Sequence, residues 1–142
     1  MTLPTHSRLL GLDPGTKTIG VAMSDAMQMI ASPVTTIKRK KWKQDAEALL
    51  SLITEHNIGG IVVGYPINMD GSEGSRCQSV KAFVGNLEKA CSLPIILQDE
   101  RMSSQAVERT MLEADISRAK RAQNVDKLAA SYILQGYLDS AR

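Results

Sequence analysis

Cysteine is scarce in this chain. Cys77 and Cys91 are the only two, they form no close pair, and neither His6 nor His56 stands beside them. That argues against a zinc site, which needs clustered thiolate and imidazole ligands, and against a disulfide framework. The two histidines match no catalytic constellation. No apolar run approaches the roughly 20 residues that cross a bilayer, so no membrane partner is expected. The opening Met1-Thr2-Leu3-Pro4-Thr5-His6 lacks the basic flank and long apolar core of a signal peptide, which makes the cytoplasm the expected compartment. Net charge is slight, +2 over 142 residues, so bulk charge announces no nucleic-acid partner. Repeats, low-complexity segments and linkers are also missing, and a single domain over residues 1–142 is expected.

What is present is an ordinary globular composition, 43% hydrophobic and 23% charged, with its positive charge concentrated. Lys38-Arg39-Lys40-Lys41-Trp42-Lys43 is a dense basic run holding the only tryptophan, and Arg118, Lys120, Arg121 and Lys127 form a second cluster. Apolar patterning predicts strands over 8–13, 19–23, 28–37, 61–64 and 94–97. The first two are joined by an Asp13-Pro14-Gly15-Thr16 turn, and Pro33 marks the third as an edge or a bulge. Helices are predicted over 43–57, from Ser75, from about Ser103, and over 124–138. His56 to Gly60 supplies a stop signal, and residues 65–74 read as a loop. The last helix is expected to bury Val125, Leu128, Ala129, Tyr132, Ile133 and Tyr137. Three hairpin-linked strands followed by alternating helix and strand imply an α/β fold. Its sheet would be mixed and five-stranded, with helices on both faces.

Three acids occupy suggestive places. Asp13 ends the first apolar run, Glu100 follows the last, and Asp126 opens the final amphipathic stretch. Taken singly, each has a plain structural reading: Asp-Pro-Gly marks turns, an acid after a strand caps the next helix, and an acid at a helix start favours its dipole. Together, two acids at strand ends and one at a helix start can converge on divalent cations, which prefer hard oxygen ligands. That combination points to phosphodiester chemistry. Asp99 competes with Glu100, because successive strand residues face opposite sides and one of the two faces the metal. The glycine-rich stretch Gly11 to Thr18 is not a Walker phosphate loop, since Thr16, not glycine, precedes Lys17.

Four blocks carry a family resemblance. Leu10-Gly11-Leu12-Asp13-Pro14-Gly15-Thr16-Lys17-Thr18, Gly64-Tyr65-Pro66-Ile67-Asn68-Met69-Asp70-Gly71, Asp99-Glu100-Arg101-Met102-Ser103-Ser104 and Asp126-Lys127-Leu128-Ala129-Ala130 resemble, in order, the motifs of the YqgF (RuvX) family. Tyr65 and Met102-Ser103-Ser104 depart from the usual pattern, and these changes bear on substrate choice, not on the acids. The resemblance implies a ribonuclease H-like fold, and a nuclease that matures the 5′ end of the small-subunit ribosomal RNA precursor. It implies Asp13, Glu100 and Asp126 as catalytic and metal-binding residues. The alternatives are a Holliday-junction resolvase acting on branched DNA and a non-catalytic RNA-binding module. An ATPase of the actin or sugar-kinase type would need a second such domain, for which this chain has no room.

The expected cofactor is a pair of Mg²⁺ or Mn²⁺ ions, with water and phosphate oxygens completing their shells. Nucleic acid is the expected partner. Candidate contacts to it are Lys17, Lys40, Lys41, Asn68, Arg101, Arg121 and Lys127, because dense positive charge makes the electrostatic footprint on phosphates. Trp42 could stack on an unpaired base or sit as a partly buried aromatic. The sequence is compatible with a monomer or a homodimer.

Overall fold

The computed structural model describes residues 3–66, 71, 73–99 and 118–140, with side chains of the last stretch from Lys127 onward. Five strands form one sheet: β1 (Arg8–Pro14), β2 (Thr18–Ser24), β3 (Ala31–Lys38), β4 (Ile58–Tyr65) and β5 (Ile95–Asp99), in the order β3-β2-β1-β4-β5. The first three are antiparallel, while β4 and β5 run parallel to β1. Helices α1 (Trp42–Glu55), α2 (Ser75–Ala90) and α3 (Arg118–Ser140) complete the described elements. The helix expected from Ser103 lies outside the described residues.

β1 is central and buried along almost its whole length, so its alternate residues feed two cores. Leu10 and Leu12 join Ile61, Val63, Leu49 of α1 and Val80, Phe83 and Leu87 of α2 on one face. Leu9 joins Ala22, Val62 and Ala130, Ile133, Leu134 and Leu138 of α3 on the other. Each fully buried leucine contributes about 1.5–3 kcal/mol. The sheet is therefore clamped between α1/α2 and α3, as the strand and helix order implied.

Local boundaries shift for identifiable reasons. Pro14 still pairs with Ile19, and the turn closes one residue later through Gly15 N–H donating to the Thr18 carbonyl at 2.8 Å. β3 begins at Ala31, not Gln28, because the Asp25 carboxylate accepts the amides of Met29 and Ile30 at 2.8 and 3.0 Å. Those amide bonds also hold the Asp25 carboxyl below its usual pKa. Gln28, in the left-handed region (φ 57), donates its amide to the Pro4 and Ser7 carbonyls at 2.7 and 2.8 Å. Pro33 is on an edge strand and beside a bulge, since the register against β2 slips between Val21 and Ala22.

After α1 the stop is made by His56, the C-cap, whose amide donates to the Leu52 carbonyl at 3.1 Å, and by Asn57 at φ 53, a conformation asparagine tolerates. Gly59 and Gly60, expected to belong to that stop, lie inside β4. A Cβ on Gly59 would sit 2.6 Å from the Ser7 Cβ, so glycine there admits the N-terminal segment that crosses the strand. α3 starts at Arg118, earlier than expected. Tyr132 is not in its buried stripe but 43% exposed, while Leu134 and Leu138 are fully covered.

Asp45, which sequence reasoning passed over, is a buried acid (3% exposed) in the first turn of α1. It accepts the Lys40 amide at 2.9 Å and lies 3.9 Å from Arg39 Nε. Asp45→Ala leaves the Lys40 amide without its acceptor and removes the charge facing Arg39, and a loss of about 1–3 kcal/mol in urea unfolding is expected. An unchanged midpoint would mean the loop entering α1 is held otherwise.

Candidate functional site

Asp13 shares the parity of Leu9 and Gly11, which places it on the α3 face of the central strand, near its C-terminal end. It is 9% exposed. Its neighbours across the sheet are small. Gly20 pairs with it on β2, and one step beyond the Leu12–Val63 pair brings Gly64 of β4 alongside. The residues flanking Asp13 thus carry no side chains over the α3 face. A carboxylate this close to a core is costly unless partnered.

α3 approaches the same strand closely. A Cβ on Gly11 would lie 2.8 Å from the Leu134 Cβ and 3.2 Å from the Ala130 carbonyl oxygen. Farther along α3, Gln135 accepts the Ala31 amide at 2.8 Å, beside Ser24, at the end of the sheet remote from Asp13. The N-terminal part of α3 consequently runs toward the Asp13 end. Position 126 lies one helical turn before Ala130. The side chains of Asp126 and Arg121 lie outside the described residues; Lys127 is described and half-buried.

Of the two neighbouring acids at the end of β5, Asp99 can be placed on a face of the sheet. Ile96 packs in the α3-side core, and Gln98 lies 3.7 Å from where a Gly136 Cβ would be. Asp99 has the opposite parity and pairs with Tyr65, a member of the α1/α2-side core. Asp99 therefore does not share a face with Asp13. Glu100, Arg101 and Asn68 lie outside the described residues.

The basic run divides by role. Lys17, Lys40 and Lys41 are exposed around the β1–β2 hairpin and the entry to α1. Arg39 is built in: its guanidinium donates to the Gly15 carbonyl at 2.7 Å and lies 5.7 Å from the Phe83 ring centroid. Trp42 meets Phe83 edge-on at 5.6 Å and packs against the core, the partly buried aromatic of the two readings. At the other end of the β4–α2 connection, the Tyr65 hydroxyl donates to Glu73, which is also paired with Lys81 at 3.1 Å. The bond to Glu73 raises the pKa of Tyr65, the bond from Tyr65 lowers that of Glu73, and Glu73 raises that of Lys81. This clasp ties residue 73 back to the end of β4; the signal in sequence was only a tyrosine and an acid at either end of a loop.

The sheet order and the helices on both faces define a ribonuclease H-like resolvase fold. RuvC of T. thermophilus, solved in complex with a Holliday junction substrate, matches at TM-score 0.61 and 15% identity, covering 96% of each chain. The Fowlpox virus resolvase, solved with substrate Holliday junction DNA, matches at TM-score 0.58 and 12% identity, covering 94% of this chain and 98% of its own. Residues 7–140 match the model of the RuvX family, described as Holliday junction resolvase, and the chain belongs to that family. A relative from Paramagnetospirillum magneticum, described as "Putative pre-16S rRNA nuclease", is 55% identical over 139 residues, 98% of this chain and 90% of its own length. One from Rhodobacter capsulatus with the same description is 56% identical over 137 residues, 96% of this chain and 86% of its own.

Proposed function

We propose that the protein is a metal-dependent nuclease that hydrolyses phosphodiester bonds at the 5′ end of pre-16S ribosomal RNA, in the cytoplasm. The observation that carries this is the nearly buried Asp13 carboxylate, flanked by Gly20 and Gly64 and faced by α3, in a chain 55% identical to a relative described as such a nuclease. Among the described residues no helix is long and apolar enough to cross a membrane.

A carboxylate in that position is a hard oxygen donor suited to Mg²⁺ or Mn²⁺. Asp13, Glu100 and Asp126 are the proposed ligands. When bound, such ions supply an activated water and neutralise charge on the leaving oxygen. Asp13 is anchored by the sheet, so the protein contributes a fixed reference point against which the phosphate is placed. Lys17, Lys40, Lys41 and Lys127, with Asn68, Arg101 and Arg121, are proposed to bind flanking phosphates, and one ribonuclease H-like domain per chain is the working unit, as monomer or homodimer.

The fold likeness to RuvC and the family's description favour one second reading, resolution of four-way DNA junctions. Both readings are tested by incubating the protein with precursor ribosomal RNA and with a four-way DNA junction in Mg²⁺, Mn²⁺ or chelator. Metal-dependent trimming of the RNA 5′ end, abolished by chelator, is expected. Junction cleavage without RNA cleavage transfers the assignment to the second reading, and cutting of neither substrate overturns both.

A further inference from the structure

On the sheet face opposite Asp13's side chain, a cavity of about 530 Å³ opens between the β1–β2 turn, the entry to α1 and α2 from Arg76 to Asn86. Arg39, Lys40 and Arg76 line it, and among the described residues no carboxylate does. Two guanidiniums converge on consecutive peptide carbonyls of the hairpin: Arg39 donates to that of Gly15 at 2.7 Å and Arg76 to that of Pro14 at 3.5 Å. Both guanidiniums are thereby anchored to neighbouring carbonyls of the turn, at Pro14 and Gly15, where they line one cavity with Lys40.

Arg39 is fixed rather than waving. Phe83 lies beneath it and Asp45, itself buried, is 3.9 Å from its Nε. Ser79 and Asn86 add polar groups along the α2 wall. Phe83 is covered and engaged by Trp42, so no aromatic face is open for a base. The lining suits a phosphate, recognised by planar guanidiniums and small polar donors, and it offers no open aromatic face on which a base could stack.

We propose that this cleft is a phosphodiester-binding subsite that holds the backbone of a single RNA strand as it passes over the β1–β2 turn, flanking the phosphate at Asp13. The subsite rests on the nuclease reading above and adds Arg76 and Arg39, on the far face of the sheet, to the strand's path. It binds without sequence preference, and each phosphate it neutralises adds about 0.7 to the salt slope of single-strand affinity.

The test is fluorescence anisotropy of the full chain with a labelled single-stranded RNA across a NaCl series. Arg76→Ala should weaken binding about five- to tenfold at low salt and flatten the slope by about 0.7, with Arg76→Lys keeping most of the slope. Ala82→Glu, which puts a carboxylate on the exposed cavity wall, should weaken binding similarly without removing any contact, and it decides the matter if Arg76→Ala fails to fold. Wild-type affinity and slope in the folded variants would overturn the subsite, while metal-dependent cleavage in the same preparations would leave the nuclease reading standing. The reverse result, weakened binding with no cleavage of any RNA by wild-type protein, keeps the subsite and removes the nuclease.

Discussion

Asp13→Asn should abolish cleavage while the protein remains folded. Asparagine keeps the shape of the side chain and removes one charge, so the sheet registers on either side, Gly20 on β2 and Gly64 on β4, have nothing to adjust. Asp13 is 9% exposed, and a carboxylate that close to a core destabilises unless its partners compensate. The thermal midpoint of the variant should therefore stay within a few degrees of wild type, about the shift that 1 kcal/mol gives in a domain of this size. The metal-dependent rate should fall on the order of a thousandfold or more, the scale seen when one member of a cooperating catalytic set is removed. RNA affinity measured without turnover should survive, because the cations supply most of it. The paired measurement is a single-turnover cleavage assay beside a thermal melt. A folded variant cutting at the wild-type rate would show that Asp13 holds the sheet and nothing else, and the proposed ligand set would go with it.

Much of this architecture was legible because hydrophobic periodicity reports burial directly. Val62 and Val63 read as a strand covered on both sides because α3 and α1/α2 pack on its two faces. Pro33 read as an edge or bulge because proline cannot donate to a ladder, and it lies at both. The misread places are those where long-range contacts overrule local signals. Gly59 and Gly60 look like a helix stop, but their reason is the crossing of residues 3–7, distant in sequence. Tyr132 fits a helical apolar stripe, yet it falls on the side of α3 turned away from the sheet. Asp45 gave no signal beyond being an acid near a helix start, and its value lies in what it holds, Lys40 N–H and Arg39.

The site divides the same way. The strand-end position of Asp13 could be read from the apolar run before it. The face that Asp99 takes could not, because parity is a property of the sheet. It needed Tyr65 as cross-strand partner to show which core Asp99 faces. Arg76 was invisible for a different reason: it lies far in sequence from the basic run that it joins, and only the contact with the Pro14 carbonyl brings it there.

Gly11→Ala should destabilise the protein and slow it together, and the two effects share one cause. In an unconstrained strand this substitution stabilises by about 0.4–1 kcal/mol through the unfolded state. Here the new Cβ would lie 2.8 Å from the Leu134 Cβ, 3.3 Å from its Cδ2 and 3.2 Å from the Ala130 carbonyl oxygen. Leu134 is fully buried and cannot swing clear, and the carbonyl belongs to the helix backbone. α3 must therefore move off β1, an overpacking cost of about 1–3 kcal/mol that reverses the sign expected of glycine replacement. Because α3 also carries position 126 one turn before Ala130, the same displacement misplaces a proposed metal ligand against Asp13. A shift well under 1 Å in such a constellation costs about tenfold in rate. The double variant Gly11→Ala/Leu134→Ala supplies the control. Leu134→Ala alone should cost about 2–5 kcal/mol, but part of the space it leaves accepts the new methyl, so the pair should be less destabilised than the sum by about 0.5–3 kcal/mol. Additive losses in urea unfolding, with an unchanged cleavage rate in Gly11→Ala, would mean that the close approach of α3 to the central strand neither stabilises the fold nor positions the site.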